Sequence, residues 1–291
     1  MRQDTEDADG TLLVPIANEE TADRQLDTAI DIAGDRSYRI LLMYVLEVPS
    51  QLSLVDGRRY LLEDEHKKFL ADAIARVESR GIPADKRIRM ARGIGTGIVG
   101  AADEHDVDEI LLGWRGRPPR QDVILGSHVD TILSDAPCDV LVQRIKTPRP
   151  ETVDSVLVPV AGGPHDAFAA ETAASIARRN DASVTLFHVI EPTDPELSPE
   201  EAAALLAERA DCFEGVRAVD RDVVEAVDVG GTITDRTTEH DVTVLGISRG
   251  GFFQRALLGT ISGGVGRHAA GTVILAKRYE PIRSRLWRLL P

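Results

Sequence analysis

Lysine is scarce in this chain: only 5 of its 34 basic residues are lysine, and 48 Asp and Glu leave a formal charge of −14. An excess of anionic charge spread along the whole sequence argues against nucleic-acid binding or docking on an anionic membrane, both of which need clustered cations. The same composition resembles that of proteins adapted to high intracellular salt. A GC-rich genome gives the same arginine bias, and a fold retained in dilute buffer would count against the salt reading. Cysteine is also rare. Cys138 and Cys212 fall far apart, which excludes a disulfide framework and predicts two reduced thiols. No run reaches the roughly eighteen apolar residues of a membrane span. The stretch Met1 to Gly10 is acidic, unlike a secretory signal, so a cytoplasmic protein is expected. Missing too are a Ser/His/Asp order, a cysteine pair at zinc spacing and a Walker lysine. No catalytic residue and no metal ligand is therefore expected.

What is present is a repeat. Leu12-Leu13-Val14-Pro15-Ile16-Ala17 returns as Val156-Leu157-Val158-Pro159-Val160-Ala161, and Val45-Leu46-Glu47 as Val189-Ile190-Glu191, both 144 residues later. Gly113, Gly126-Ser127 and Val140-Leu141-Val142 are echoed by Gly246, Gly259-Thr260 and Val273-Ile274-Leu275 at an offset of 133, so the second copy is 11 residues shorter in its middle. Two related domains are expected, residues 10–145 and 154–279, joined by a short linker holding Pro148 and Pro150 and followed by a basic amphipathic tail, 280–291. That tail would dock on a membrane surface, on a partner or on the protein's own acidic body.

Within each repeat, short apolar runs alternate with segments of helical period. In the first copy the runs are Thr11 to Ile16, Ile40 to Val45, Arg87 to Met90, Glu109 to Leu112 and Val140 to Val142; in the second, Val156 to Val160, Val184 to Val189, Val223 to Val227, Val242 to Leu245 and Val273 to Leu275. Leu26, Ala29, Ile30 and Ala33, then Phe69, Ala73, Ile74 and Val77, fall at helical spacing. Alternating strands and helices predict an α/β fold with parallel sheets.

The chemistry candidate is Gly113-Trp114-Arg115-Gly116, nine residues, then Gly126-Ser127. It leaves the end of a strand and enters a helix running Ser127 to Ser134. Glycine lets backbone amides approach phosphate oxygens, Ser127 adds a hydroxyl, and the helix start adds free N–H groups and a favourable dipole. Arg115, Arg117 and Arg120 supply positive charge. A polyphosphate is the expected guest; a glycine-rich turn serving backbone geometry alone is the competing reading.

These residues together resemble the universal stress protein family. The carriers are the glycine pattern, the opening strand ending in Val-Pro-Ile, and the closing Ala136-Pro137-Cys138-Asp139-Val140-Leu141-Val142. The resemblance implies two tandem Rossmann-like domains, each a five-stranded parallel sheet of order 3-2-1-4-5. It implies an intramolecular pseudo-dimer in which Val140 to Val142 pair with Val273 to Leu275, with further dimerisation left open, and, with the acidic composition, a halophilic archaeal source. It also implies a stress-response protein binding adenine nucleotide, ATP with Mg2+, in the first domain. The positions that match are Pro15, Ala17, Val45, Leu112, Gly113, Gly116, Gly126, Ser127 and His128. The chain departs from the family where many members carry an Asp for the ribose hydroxyls: here stand Ala17 and Ala161. In the second repeat Arg249 replaces the second glycine, either contacting phosphate or filling its space. ATP hydrolysis would be slow at most. The alternative is a nucleotide-free module regulating a protein partner, such as a membrane transporter.

Three further motifs carry weaker signals. Gly95, Gly97 and Gly100 fit the dinucleotide pattern G-x-G-x-x-G, but Arg115 stands where the acidic residue is expected, and the second repeat has Val229-Gly230-Gly231-Thr232 instead. An arginine there would suit the 2′-phosphate of NADP. Glu104-His105-Asp106 and Glu239-His240-Asp241 do not superpose in the repeat and are expected to be solvated helix-end residues. His188, between Phe187 and Val189, is expected to be a satisfied core histidine.

Overall fold

A computed structural model describes residues 8–115, 125–145, 149–192, 198–247 and 271–281. Gly116, Arg117, Arg120, Arg249, Gly259, Thr260 and the tail from residue 282 onward lie outside the described residues. The first half runs β1 (Gly10–Pro15), α1 (Glu19–Arg36), β2 (Tyr38–Glu47), α2 (Leu54–Leu61), α3 (Asp64–Glu78), β3 (Ala84–Ala91), α4 (Ile94–Glu104), β4 (Glu109–Trp114), α5 (Ser127–Asp135) and β5 (Asp139–Arg144). The second runs β6 (Ser155–Pro159), α6 (Pro164–Asn180), β7 (Ser183–Ile190), α7 (Pro199–Ala207), a 3₁₀ turn (Ala210–Phe213), β8 (Ala218–Glu225), α8 (Val229–Thr237), β9 (Val242–Gly246) and β10 (Thr272–Lys277).

All ten strands form one sheet, in the order β3-β2-β1-β4-β5-β10-β9-β6-β7-β8. Every pairing within a half is parallel. Among the described residues, the one antiparallel ladder joins the halves, with Leu275 opposite Val142 and Lys277 opposite Val140. The central strands are apolar on both faces because helices cover both. Leu12, Val14, Val156 and Val158 belong to one core layer, shared with α1 and α6; Leu13, Leu112, Val142 and Leu275 belong to the other. Both layers cross the β5–β10 ladder. The faces read from helical spacing are the buried ones: Leu26, Ala29, Ile30 and Ala33 on α1, and Phe69, Ala73 and Val77 on α3.

Two strands begin earlier than their apolar runs, and for one reason. β3 (ADKRIRMA) and β8 (AVDRDVVE) are the edges of the sheet, so their outer positions carry exposed charges that hide the strand signal. β8 accordingly ends at Glu225, and Val227 is 78% exposed. Helix α2 buries only Gly57 and spans just 8 residues, too short for its spacing to stand out.

The site is positioned by the reversal of strand order. β1 pairs with β4 only at Leu12–Glu109 and Leu13–Ile110, and β6 with β9 only at Val156–Val242 and Leu157–Thr243. Beyond those pairs the strands part, leaving a crevice at the carboxyl ends in each half, where open α/β sheets hold ligands.

Candidate functional site: two crevices built from one repeat

In the first half several of the expected residues lie at or near the carboxyl ends of strands by the crevice. Pro15 ends β1, Val45 lies on β2, and Leu112 and Gly113 lie near the end of β4. Gly126 is the N-cap of α5, at φ 117°, a conformation that favours glycine. Being glycine, it brings no side chain to cap the helix, and a Cβ at Gly126 would meet no described atom within 4 Å. Ser127 and His128 open the helix and are exposed. Gly113 has a different reason to be glycine: a Cβ would fall 2.9 Å from Gln25 Oε1 and 3.0 Å from Ile145 Cδ1. Gln25, 2% exposed on α1, bridges the parting strands by donating from Nε2 to the carbonyls of Leu111 at 2.5 Å and Pro15 at 3.3 Å.

Ala17 opens instead onto a neighbouring cavity of about 450 Å³, lined by Asn18, Glu19, Glu20, Tyr44, Glu65, His66 and Phe69. The Tyr44 and His66 rings lie 4.7 Å apart, and burial pushes the Tyr44 hydroxyl above the usual tyrosine range. The three glutamates on this cavity's wall place negative charge where the resemblance puts ribose recognition.

In the second half the described residues leave far less room at the matching place. Pro159, Val160, Ala161, Phe187, Val189, Leu245 and Gly246 enclose about 30 Å³, room for little more than a water. Gly162 and Gly163, at φ 103° and 99°, turn the chain so that the amides of Ala161 and Gly162 both donate to Asp166 Oδ2 at 2.6 Å. Burial raises the Asp166 carboxyl above its ordinary range, and these two amides pull it part of the way back. Asp166 Oδ1 fills the space beside Gly246, where a Cβ would fall 2.3 Å from it. His188, 8% exposed, donates from Nδ1 to the Val160 carbonyl at 2.7 Å, a satisfied core histidine as its flanking residues predict. Gln25 and Asp166 are the residues the repeat did not reveal. Each is a polar residue on the buried face of a helix, and that is the only signal they carry.

The remaining motifs resolve into packing. A Cβ at Gly95 would fall 3.0 Å from the His128 carbonyl, and one at Gly97 would fall 2.8 Å from Ala91 Cβ and 3.1 Å from Val45 Cγ1. These glycines let α4 approach α5 and the sheet, and they follow β3 at the edge rather than the strand at the crevice. Glu104 pairs with Arg89 and Glu239 with Arg236; Asp241 Oδ2 accepts from Ser155 N and Oγ, each at 3.0 Å. Among the described residues no group of three His, Cys, Asp or Glu has the placement to hold a metal, and no helix is long and apolar enough to cross a membrane.

The fold has known relatives. A universal stress protein from Archaeoglobus fulgidus superposes with a TM-score of 0.68 at 18% identity, over 94% of this chain and 98% of that one. A functionally unknown protein from Pseudomonas aeruginosa gives 0.57 at 17% identity, over 92% of each chain. A universal stress protein from Archaeoglobus fulgidus in complex with dAMP matches 46% of this chain and 96% of its own, with a TM-score of 0.36 at 19% identity. Comparison with curated proteins gives no match. The family model described as Universal stress protein family matches residues 10–144 and again 152–277, so the chain belongs to the universal stress protein family twice over, once in each half.

Proposed function

We propose that this chain is a stress-response regulatory module that binds one adenine nucleotide, ATP with Mg2+, in its first half. The observation that carries this reading is the glycine cap of α5, Gly126 at φ 117° with no described atom within 4 Å of where its Cβ would stand; in the second domain the loop after β6 has two amides taken by Asp166, and the counterpart of the α5 start lies outside the described residues. In this reading the amides of Gly113, Gly116, Gly126, Ser127 and His128 surround the phosphates, and Pro15, Ala17, Val45 and Leu112 surround the adenosine. Mg2+ offsets phosphate charge beside an acidic surface, and binding acts by linkage, favouring one arrangement of the glycine loop and so altering what the two-domain body engages. The charge of −14 with 5 lysines supports a cytoplasmic protein adapted to high salt, as in halophilic archaea.

A second reading, a nucleotide-free module for a protein partner such as a membrane transporter, is favoured by Ala17 and by Glu19, Glu20 and Glu65 around the neighbouring cavity. Calorimetric titration of Mg-ATP at molar KCl separates the two. One site per chain is expected; two would refute the restriction to the first half, and no heat at millimolar ATP would leave the partner reading. The Ser127→Asp variant sharpens the result. A carboxylate at a helix start keeps the helix stable but repels phosphate, so ATP affinity should fall at least tenfold with the melting temperature unchanged.

A further inference from the structure

The halves meet at two ends of the β5–β10 ladder, related to each other by the repeat. At one end the linker closes the seam. Arg149, with a side chain 5% exposed, contacts Asp31 and reaches Asn180 Oδ1 at 3.3 Å, while Asn180 itself donates to Asp31 at 2.8 Å. At the other end the positions 144 residues away in the repeat, Arg36 and Ser175, make the corresponding contact, Nε to Oγ at 3.1 Å. Beside them lies a cavity of about 380 Å³, within the range that holds small molecules.

The lining of this cavity is selective. Four carboxylates, Asp108, Glu109, Asp139 and Glu171, face three guanidiniums, Arg36, Arg178 and Arg278. The guanidiniums are already engaged. Arg36 donates to Glu109 Oε1 and to Thr172 at 3.2 Å; Arg178 binds both oxygens of Asp35, at 2.8 and 2.6 Å; Arg278 binds Asp139 at 3.1 Å and Glu171 at 2.5 Å. What remains is an acceptor: Glu109 is 3% exposed, and its Oε2 has no hydrogen-bond partner among the described residues. A buried oxygen left unpaired is costly, and a charged one more so. With four carboxylates against three guanidiniums the lining carries one excess negative charge, so a cation is favoured over an anion, and a cation with N–H groups would also meet the orphaned oxygen. At the opposite end the linker guanidinium of Arg149 occupies the seam, paired with Asp31.

We infer that this seam cavity binds a small organic cation, an aliphatic ammonium or guanidinium compound whose head donates to Glu109 Oε2. Occupancy would bridge the halves, since the lining comes from both. The site is separate from the nucleotide crevice and does not depend on it.

Cys212 lines the cavity, while Cys138 is buried, so peptide-resolved alkylation by iodoacetamide reads occupancy in the unaltered full chain. The probe is 1,4-diaminobutane, with succinate as an anion of similar length, at the lowest KCl concentration that keeps the protein folded by circular dichroism. The diamine should slow alkylation of Cys212 at least fivefold and succinate should leave it unchanged. Calorimetry should give one diamine per chain, weakened at least tenfold by Glu109→Gln. Because that variant leaves Arg36 with a weaker partner and endangers the fold, Glu171→Gln, at a residue whose side chain is 42% exposed, serves as the second variant, with a two- to threefold loss expected. Equal slowing by both probes, slowing by neither, protection by KCl alone, or unchanged diamine affinity in a folded Glu109→Gln variant would overturn the inference.

Discussion

The two crevices descend from one sequence pattern and are finished by different side chains. In the first half, Gln25 ties together the carbonyls of Pro15 and Leu111 from below, and α5 begins with a bare glycine cap. In the second, Asp166 comes from the helix after β6 and takes the two loop amides itself, beside a space of about 30 Å³ among the described residues. The position 144 residues before Asp166 is Ala22, and the position 144 residues after Gln25 is Ala169. Each half therefore sends a buried polar side chain from a different turn of the equivalent helix to the same place, Gln25 beside Gly113 and Asp166 beside its counterpart Gly246. The lesson is that a repeat preserves a crevice's walls far more readily than its contents.

The comparison breaks most visibly at the seam. Phe168 is fully buried, with the Arg278 and Arg36 guanidiniums 4.8 and 5.7 Å from its ring centre; its counterpart in the repeat is Arg24, which bonds to the Ile145 carbonyl at 2.6 Å. Phe168→Ala should cost about 4 kcal/mol in urea unfolding, through a cavity between the halves, and Arg24→Ala about 1 kcal/mol. Equal losses would show that the two seam ends are packed alike.

Next come the paired glycines at the crevice. A Cβ at Gly246 would press on the backbone of His165 and Asp166, at 2.7 Å, whereas one at Gly113 meets only the ends of the Gln25 and Ile145 side chains. Gly246→Ala should lose about 3 kcal/mol and Gly113→Ala about 1 kcal/mol, since side-chain ends give way and backbone does not. The reverse ranking would place the rigid crevice in the first half.

The smallest effect is one of pH. Burial raises the folded-state pKa of Asp166 above its ordinary value of 3.8, so the folded protein holds this proton more tightly than the unfolded chain. Its contribution to stability is therefore greatest below pH 3.8 and is lost as pH rises through that value, levelling above the raised folded-state pKa. The wild-type stability minus that of Asp166→Asn should fall across that window in chemical denaturation at constant salt. A difference that rises with pH would mean that the two amides outweigh burial.

Much of this was legible in the chain itself. The internal repeat gave two domains, the continuous apolar runs gave buried parallel strands, and helical spacing picked the packed faces of α1 and α3. The edge strands β3 and β8 were read short because their exposed charges mask period and apolarity alike. At the site, Gly126 was singled out for its place before a helix, and it does adopt a left-handed conformation. Gly113 was singled out as a phosphate contact, yet the structure gives it an independent reason, the approach of Gln25 and Ile145.

Sequence alone settled the number of domains, the succession of strands and the family, because those depend on local periodicity and on a pattern written twice. Tertiary structure decided what fills each crevice and each end of the seam. Whether Asp166 caps its own loop, whether Arg149 plugs one end of the seam and whether Glu109 keeps an unpaired oxygen at the other all depend on residues brought together across turns and across halves. Those contacts are set by packing geometry and by competition for a few buried hydrogen-bond donors, and no short stretch of sequence records their outcome.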